Sequence, residues 1–438
     1  MSAAQTPAAW AQRAADEGFT AALRGIEWIA RRHPATDPAR HDVDVIADVP
    51  YLPDGDAAHR LDVYVPRRAK GPRPALIYVH GGGFRHLSKE TLWLAALTCA
   101  RRGHVVFNVE YRLGRRYPDA ITDVAAAAIW VQRHGARFGA DVARLAIAGE
   151  SAGGNLATAL SLACAYRRPE PWARAVWDAG VRPRAAAIAY GLLQVSAPDR
   201  FRPRGPLGPW IRGNIRGVAA GYLGDAERQP GAARLADPLL VLESGAAPAR
   251  PLPWFFAGAG DRDPLLDDTR RLGAALARLG VPHLVRVYAG GVHGFHVLLP
   301  WTDRARAMWR DQLDFLDRAL EEPAASRAGR ARPEPHALAA PAWAIVPSAP
   351  APGARRRSTA SALPRREAIA YAARTTRVLH AGLPGPARRG RRRADRRARV
   401  RRRHRRRREE RARLDRRLRR ALRQARRTAR TLACLLLR

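Results

Sequence analysis

The chain has 438 residues, 47% of them hydrophobic, and it carries 78 Lys+Arg against 39 Asp+Glu. The excess of positive charge is uneven, since residues 321–438 contain 36 Arg, no Lys and 8 acidic residues. This distribution excludes a uniformly basic globule and predicts an ordinary globular domain over the first 320 residues, followed by a segment of a different kind.

The first segment, residues 8–32, is predicted to form an amphipathic helix, because its apolar residues recur near one face and proline follows them. From residue 42 the pattern changes to short apolar runs of strand length. Eight strands are predicted, at 43–49, 61–65, 75–79, 105–109, 145–148, 185–190, 254–257 and 284–288. The first two alternate apolar with polar residues and are expected to be half exposed. The later ones are continuously apolar, which is typical of strands buried on both faces of a parallel sheet.

Helices alternate with the later strands. They are predicted at 91–102, 120–137, 152–166, 264–279 and 304–320. This alternation predicts an α/β domain with a mostly parallel, eight-stranded sheet and helices on both faces. Residues 192–250 interrupt it with many Pro, Gly and Arg, and we interpret them as an insertion over the carboxyl ends of the strands.

The sequence GESAG at residues 149–153 has the G-x-S-x-G form and lies between an apolar strand and a predicted helix. A sharp strand-to-helix turn lifts such a serine above the sheet, and small residues on either side let the backbone turn without a clash. The N-terminus of the following helix directs free N–H groups and a positive dipole end toward charge that develops nearby. We therefore identify Ser151 as the candidate nucleophile.

A second motif, HGGGF at residues 80–84, follows the third predicted strand. Glycines have no Cβ, so their N–H groups can approach an oxyanion closely. We expect Gly82 and Gly83 to donate N–H groups to an oxyanion, together with Ala152, the residue after the nucleophile. A phosphate-binding loop is disfavoured because no Lys-Ser/Thr follows the glycines. His80 is expected to fix the glycine loop by hydrogen bonding rather than to transfer protons.

A serine nucleophile needs a base, and the base needs an orienting carboxylate, in the chain order Ser, then Asp or Glu, then His for this kind of turn. Two later strands end at suitable groups, one at GDRDP and the other at GVHGF. We predict Asp263 as the orienting acid and His293 as the base. Asp261, two residues earlier in the same loop, remains the alternative acid, and His296 remains the alternative base.

Five ordered motifs carry a resemblance to a known family: HGGGF, YRL at 111–113, GESAGGN at 149–155, DPL at 263–265 and HGF at 293–295. Over about residues 40–320 the chain resembles the hormone-sensitive-lipase-like esterases, a branch of the α/β-hydrolase fold. The resemblance implies a catalytic domain over residues 41–320. It also implies a helical cap built from residues 1–40 and from the insertion at 192–250. The site residues that it implies are Ser151, Asp263 and His293 as the triad, and Gly82, Gly83 and Ala152 as the oxyanion hole.

Two features depart from the family pattern. After YRL the chain continues with GRRYPDA and is shorter than the family's loop, so the wall of the site near Arg115–Tyr117 is not predicted. Glu150 stands where Asp is frequent in the family, and we expect it to stabilise the turn rather than to react.

The C-terminal part is predicted to lie outside the catalytic domain. Residues 321–387 are rich in Pro, Ala, Gly and Ser, which is typical of a linker. Residues 388–438 form an Arg-rich tail, in which leucines and alanines at three- or four-residue steps would place an apolar stripe on a basic helix. Such a tail could bind nucleic-acid phosphates or an anionic lipid surface without sequence preference. A solvated appendage and an extension with no selected role are the alternatives.

The function that these patterns predict is a serine carboxylesterase acting on small, uncharged esters, with no metal or organic cofactor. Alternatives from other classes are a catalytically silent hydrolase-like protein, and a carrier whose tail binds nucleic acid or membrane. Three scattered cysteines exclude a disulfide framework, and no apolar run reaches the ~20 residues that span a bilayer. No secretory signal is evident, so a cytoplasmic protein is expected.

Overall fold

The computed structural model describes residues 36–67, 71–201, 208–224, 234–321 and 345–346. The helix predicted over 8–32 and the Arg-rich tail over 388–438 lie outside the described residues. The same holds for nearly all of the cap segment 1–40 and of the linker 321–387.

The centre of the domain is one mixed β-sheet, in the order β1-β2-β4-β3-β5-β6-β7-β8-β9. Its strands are β1 Val43–Pro50, β2 Arg60–Pro66, β3 Arg73–Val79, β4 Val105–Val109, β5 Ala140–Glu150, β6 Ala185–Ala189, β7 Trp254–Gly260, β8 His283–Tyr288 and β9 Ile345–Val346. β2 pairs antiparallel with both β1 and β4, and the other pairs are parallel. The α/β-hydrolase architecture with eight mostly parallel strands is confirmed, and the two-residue β9 extends its edge.

The strands are stabilised because their apolar side chains are buried on both faces of the sheet. In β3, Ala75, Ile77 and Val79 face one core, while Leu76 and Tyr78 face the other, as the two-residue period of a strand requires. Full burial of each such side chain contributes roughly 1.5–3 kcal/mol. The expectation that the second strand is half exposed was wrong, because β2 lies between β1 and β4 and residues 61–64 are buried.

Helices cover both faces of the sheet. The described residues contain α1 Trp93–Arg101, α2 Asp119–His134, α3 Ala152–Ala165, α4 Pro171–Asp178, α5 Gly208–Leu223, α6 Pro238–Glu243, α7 Leu266–Arg278, α8 Phe295–Leu298 and α9 Asp303–Glu321. α1 and α9 pack on one face, whereas α2, α3, α4 and most of α7 pack on the other. The sequence did not predict α4, whose eight residues follow α3 after a short turn.

The insertion begins in the loop after β6, and two buried carboxylates hold that loop in place. Asp268 accepts the N–H of Leu193 at 2.8 Å, and Asp237 accepts the N–H groups of Val195 and Ser196. α5 and α6 belong to the described part of the insertion, and buried residues of α5 pack into the core beside the sheet. Among the described helices, none combines the length and the apolar composition that crossing a membrane requires.

Candidate active site

The turn between β5 and α3 presents Ser151 with an unusual backbone. Its φ of 55° and ψ of −117° lie outside the regions that non-glycine residues prefer. Glycines make this turn possible: a Cβ at Gly149 would lie 2.4 Å from the carbonyl oxygen of Gly153, and a Cβ at Gly153 would lie 2.1 Å from that of Val79. The N–H of Ser151 donates to the carbonyl of Ala189 at 3.0 Å, which ties the turn to β6.

Ser151, His293 and Asp263 are in direct contact. His293 Nε2 lies 2.9 Å from Ser151 Oγ, and His293 Nδ1 lies 3.0 Å and 3.1 Å from the two carboxylate oxygens of Asp263. The Asp263 side chain is fully buried and also accepts the N–H of Leu265 at 2.8 Å, whereas the His293 side chain is 38% exposed. The chain therefore brings a hydroxyl, an imidazole and a carboxylate into one hydrogen-bonded row that is open to solvent at the imidazole.

The electrostatics of this row favour a protonated imidazole. Burial by itself lowers the pKa of His293, but the charge of Asp263 and the hydrogen bond to it outweigh that effect, and the net pKa is raised. An imidazolium is the species that forms when the ring takes a proton from serine. The Asp263 carboxylate is thus placed to stabilise it.

The two alternative residues occupy different positions. Asp261 is exposed, and its N–H donates to the carbonyl of Tyr288 at 3.1 Å. His296 is buried, and its Nδ1 lies 2.7 Å from the hydroxyl of Tyr190. Burial, followed by the charge of His293, lowers the pKa of His296 to about 3, so this ring is neutral at physiological pH.

The glycine loop lies next to the turn that carries Ser151. Gly82 and Gly83 have φ values of +109° and +62°, and a Cβ at Gly82 would lie 1.8 Å from the carbonyl oxygen of His86. The carbonyl of Gly82 accepts the N–H of His86 at 2.9 Å, which closes the turn. Within the part of the chain that the structure describes, no hydrogen bond uses the N–H of Gly82, Gly83 or Ala152. All three predicted donors are therefore available to a ligand oxygen.

Glu150 connects the turn of Ser151 with the glycine loop. Its buried carboxylate accepts the N–H of Gly81 and the hydroxyl of Tyr78, each at 2.6 Å. Burial raises the pKa of Glu150 to about 7, against the lowering effect of these two donors. These contacts agree with a supporting role for Glu150.

Helix α5 of the insertion covers the glycine loop. A Cβ at Gly83 would lie 2.8 Å from Val218 Cγ2, and the ring of Tyr222 stacks on Phe84 with 3.7 Å between the centroids. The loop that the sequence left undefined packs here as well, since the N–H of Tyr117 donates to the carbonyl of Tyr222 at 2.6 Å. The wall near residues 115–117 is therefore built against α5.

Sequence reasoning missed Tyr190, which contacts the predicted base. Its ring contacts that of His293 edge-on, with 4.8 Å between the centroids, and its hydroxyl is held by His296. Its position at the carboxyl end of β6, the edge of the sheet that carries Ser151, is the signal that could have found it. The described residues contain no group of three or more His, Cys, Asp or Glu side chains that could hold a metal ion.

Comparison with known proteins gives a consistent result. Residues 76–297, just over half of the chain, match the family model described as alpha/beta hydrolase fold. Esterase LipI of Mycobacterium tuberculosis is 29% identical over 296 residues, which are 64% of this chain and 82% of that protein. Carboxylic ester hydrolase LipN of the same organism is 31% identical over 232 residues, 51% of this chain and 58% of that protein.

A solved structure shares the architecture. The bacterial heroin esterase superimposes with a TM-score of 0.57 and 23% identity, over 70% of this chain and 92% of that one. At this identity the likeness concerns the fold.

Proposed function

The chain belongs to the hormone-sensitive-lipase-like esterases of the α/β-hydrolase fold and is a carboxylic ester hydrolase, and from this premise we propose that it cleaves esters through an acyl intermediate on Ser151. The observation that carries the proposal is the continuous row from Ser151 Oγ through His293 to Asp263, with contacts of 2.9 Å and 3.0 Å. A serine hydroxyl is a weak nucleophile until a base within hydrogen-bonding distance accepts its proton.

In the first half-reaction, Ser151 Oγ bonds to the ester carbonyl carbon while His293 Nε2 takes the hydroxyl proton. The carbonyl oxygen becomes an oxyanion, which the N–H groups of Gly82, Gly83 and Ala152 stabilise. The C–O bond to the alcohol then breaks, and the leaving alkoxide receives the proton from His293. Asp263 keeps the imidazole in the tautomer that has a proton on Nδ1 and a free lone pair on Nε2.

In the second half-reaction, water replaces the alcohol. His293 takes one proton of the water, and the hydroxide bonds to the acyl carbon. The bond between the acyl carbon and Ser151 Oγ breaks, Ser151 regains its proton from His293, and the carboxylic acid leaves. Each donor in the oxyanion hole typically contributes ~10²–10³ in rate, because it stabilises charge that is present only in the transition state.

We assign small, uncharged esters as the substrate class. The support for small size is the close contact of α5 with the glycine loop, where a Cβ on Gly83 would already approach Val218 to 2.8 Å. The support for an uncharged substrate is the apolar packing of Phe84 and Tyr222 beside the oxyanion hole, since an unpaired charge there would lose its hydration.

The test is the Ser151→Ala variant, assayed with p-nitrophenyl esters from acetate to decanoate. We expect hydrolysis of every ester to be abolished while circular dichroism and the unfolding temperature stay near those of the wild type. Ser161→Ala is the matched control, because Ser161 lies on α3, the helix that follows Ser151, and its hydroxyl donates to the carbonyl of Ala157. Near-normal turnover in Ser151→Ala, or equal loss in both variants, would overturn the assignment.

A further inference from the structure

His80 is completely buried beneath the glycine loop, and both of its ring nitrogens face acceptors. Nδ1 lies 2.8 Å from the carbonyl oxygen of Gly81, and Nε2 lies 2.9 Å from a carboxylate oxygen of Glu110. A carbonyl oxygen has no proton to give, so Nδ1 must donate. If Glu110 is ionised, Nε2 must donate as well, and only the imidazolium has a proton on both nitrogens.

The carboxylate of Glu110 accepts hydrogen bonds from two backbone N–H groups. Besides His80, the N–H of Lys89 donates to this carboxylate at 3.0 Å and the N–H of Tyr111 donates to it at 3.3 Å. Both oxygens of the carboxylate are therefore engaged, Oε1 by Tyr111 and Oε2 by Lys89. The ammonium of Lys89 is itself paired with Asp62 at 2.8 Å and with other acids, so it leaves the Glu110–His80 pair intact.

Other groups around the ring are consistent with a cation there. Glu150, on the other side of Gly81, is a second acid close to His80. Tyr111 stacks on the ring with 4.4 Å between centroids, and its hydroxyl donates to the carbonyl of His80. Burial lowers the pKa of His80, but the charge of Glu110 and the hydrogen bonds to Glu110 and to Gly81 outweigh it, and the net pKa is raised.

From this geometry we infer that Glu110 holds His80 as a buried imidazolium, which donates to the Gly81 carbonyl and thereby strengthens the Gly82 N–H as an oxyanion donor. The Gly81 carbonyl and the Gly82 N–H belong to the same peptide group. A charge-assisted hydrogen bond to the carbonyl draws electron density toward oxygen and makes the N–H a stronger donor. The inference rests on the proposed function, because it is the oxyanion of that reaction that Gly82 binds.

His80 is accordingly a positioning residue that acts through the Gly81–Gly82 peptide. It fixes the plane of that peptide and adds to its polarity. Removal of a whole oxyanion donor costs ~10²–10³ in rate, and weakening one donor must cost less. We expect loss of the cation to lower kcat by roughly 10-fold with KM changed by less than about 2-fold, because the stronger N–H matters only once the oxyanion forms.

The first test observes the proton directly in the full-length wild-type enzyme. With ¹⁵N-labelled histidine, the long-range ¹H–¹⁵N spectrum distinguishes the imidazolium from either neutral tautomer, and a His80→Asn variant assigns the signal. We expect both nitrogens of His80 to stay protonated at about pH 8, well above the ordinary pKa of ~6.5. A neutral His80 at that pH would overturn the inference, whatever the kinetics show.

The second test is kinetic and uses Glu110→Gln. The glutamine amide can donate to Nε2, so His80 keeps its Nδ1–H bond to Gly81 but loses its charge. The matched control is Glu90→Gln, which alters a carboxylate that accepts from the ammonium of the same lysine. We expect the roughly 10-fold drop in kcat only in Glu110→Gln, with His80 becoming neutral in the spectrum. If Glu110→Gln had a neutral His80 and still the kcat of the wild type, the claim that the charge on His80 strengthens the Gly82 N–H would be refuted.

The two proposals fail in different ways. An inactive Ser151→Ala beside a fully active Glu110→Gln would leave the proposed function standing and reject the role of His80. An active Ser151→Ala would reject the proposed function and with it the oxyanion on which His80 is inferred to act. If Glu110→Gln does not fold, the spectrum of the wild-type protein still decides the protonation of His80.

Discussion

Replacing Asp263 by asparagine tests how the base is oriented. In the wild-type site, one oxygen of Asp263 accepts the N–H of Leu265 at 2.8 Å, and both oxygens lie within 3.1 Å of His293 Nδ1. The amide oxygen of the substituted side chain would keep the bond to Leu265, so its NH₂ group would take the other position, about 3.0 Å from Nδ1. Two donors repel each other there, and the imidazole relieves this by moving its proton to Nε2.

A proton on Nε2 occupies the lone pair that has to accept the proton of Ser151. Loss of the correct tautomer in a triad costs about 10⁴-fold in kcat, or about 5 kcal/mol of transition-state stabilisation. The pH profile should change as well. In the wild type, kcat/KM rises as His293 loses its proton, with a midpoint above the ordinary ~6.5, because Asp263 raises the pKa of His293. In Asp263→Asn the midpoint should fall.

The assay is the hydrolysis of p-nitrophenyl acetate between about pH 5 and 9, followed at saturating and limiting substrate. Asp261→Asn is the matched control, because it is the same substitution two residues earlier in the same loop, at an exposed side chain. We expect the control to stay within about 2-fold of the wild type. The reasoning is refuted if Asp263→Asn keeps most of its activity, or if Asp261→Asn loses as much.

Three further results are expected. Gly83→Ala should lower kcat by roughly 10²-fold, because the residue has a φ of +62° and the new Cβ would lie 2.8 Å from Val218. Gly180→Ala, at a residue with a φ of +71° and open space around it, should stay active. Equal kcat in the two variants would contradict this expectation. Burial and then the charge of His293 lower the pKa of His296 to about 3. As the pH is lowered, His296 therefore binds a proton in the unfolded chain before it does so in the folded chain. As the pH is lowered from ~6.5, the free energy of unfolding should therefore decrease by up to about 1.4 kcal/mol per pH unit. Urea titrations at several pH values should show that this free energy depends less steeply on pH in His296→Gln. Truncation after residue 349 should leave kcat/KM within about 3-fold in the same ester assay, whereas loss of activity would favour a role for the tail.

Much of the site could be predicted from sequence because its chemistry is local to three turns. The turn of Ser151 needs glycines on both sides, and the glycine loop needs residues that accept positive φ, so both leave short motifs in the chain. Asp263 and His293 follow strands whose carboxyl ends meet at the same edge of the sheet. That edge explains why groups far apart in the chain meet at 2.9 Å and 3.0 Å.

The rest depends on contacts that no local pattern encodes. Strand β2 alternates polar and apolar residues like an exposed strand, yet its neighbours on both sides bury it. Tyr190 contacts His293 only because β6, β7 and β8 lie side by side in the finished sheet, which brings the carboxyl ends of β6 and β8 near each other. Glu110 reaches His80 across 30 residues of chain, at the adjacent ends of β3 and β4.

The choice between acid candidates shows the same limit. Asp261 and Asp263 are the same residue type and lie two residues apart, so the sequence left the alternative open. Burial and the Leu265 N–H distinguish them in the folded chain, where only the Asp263 carboxylate faces the imidazole of His293.

The proposal that the reaction passes through a covalent ester of Ser151 is tested most directly by mass spectrometry. The enzyme would be mixed with a slowly hydrolysed p-nitrophenyl ester, quenched in acid, weighed intact and digested. A single acyl group on the peptide that contains Ser151, formed at the rate of the p-nitrophenol burst and absent from Ser151→Ala, is the expected result. Continued turnover with no adduct, or with the acyl group on another residue, would contradict it.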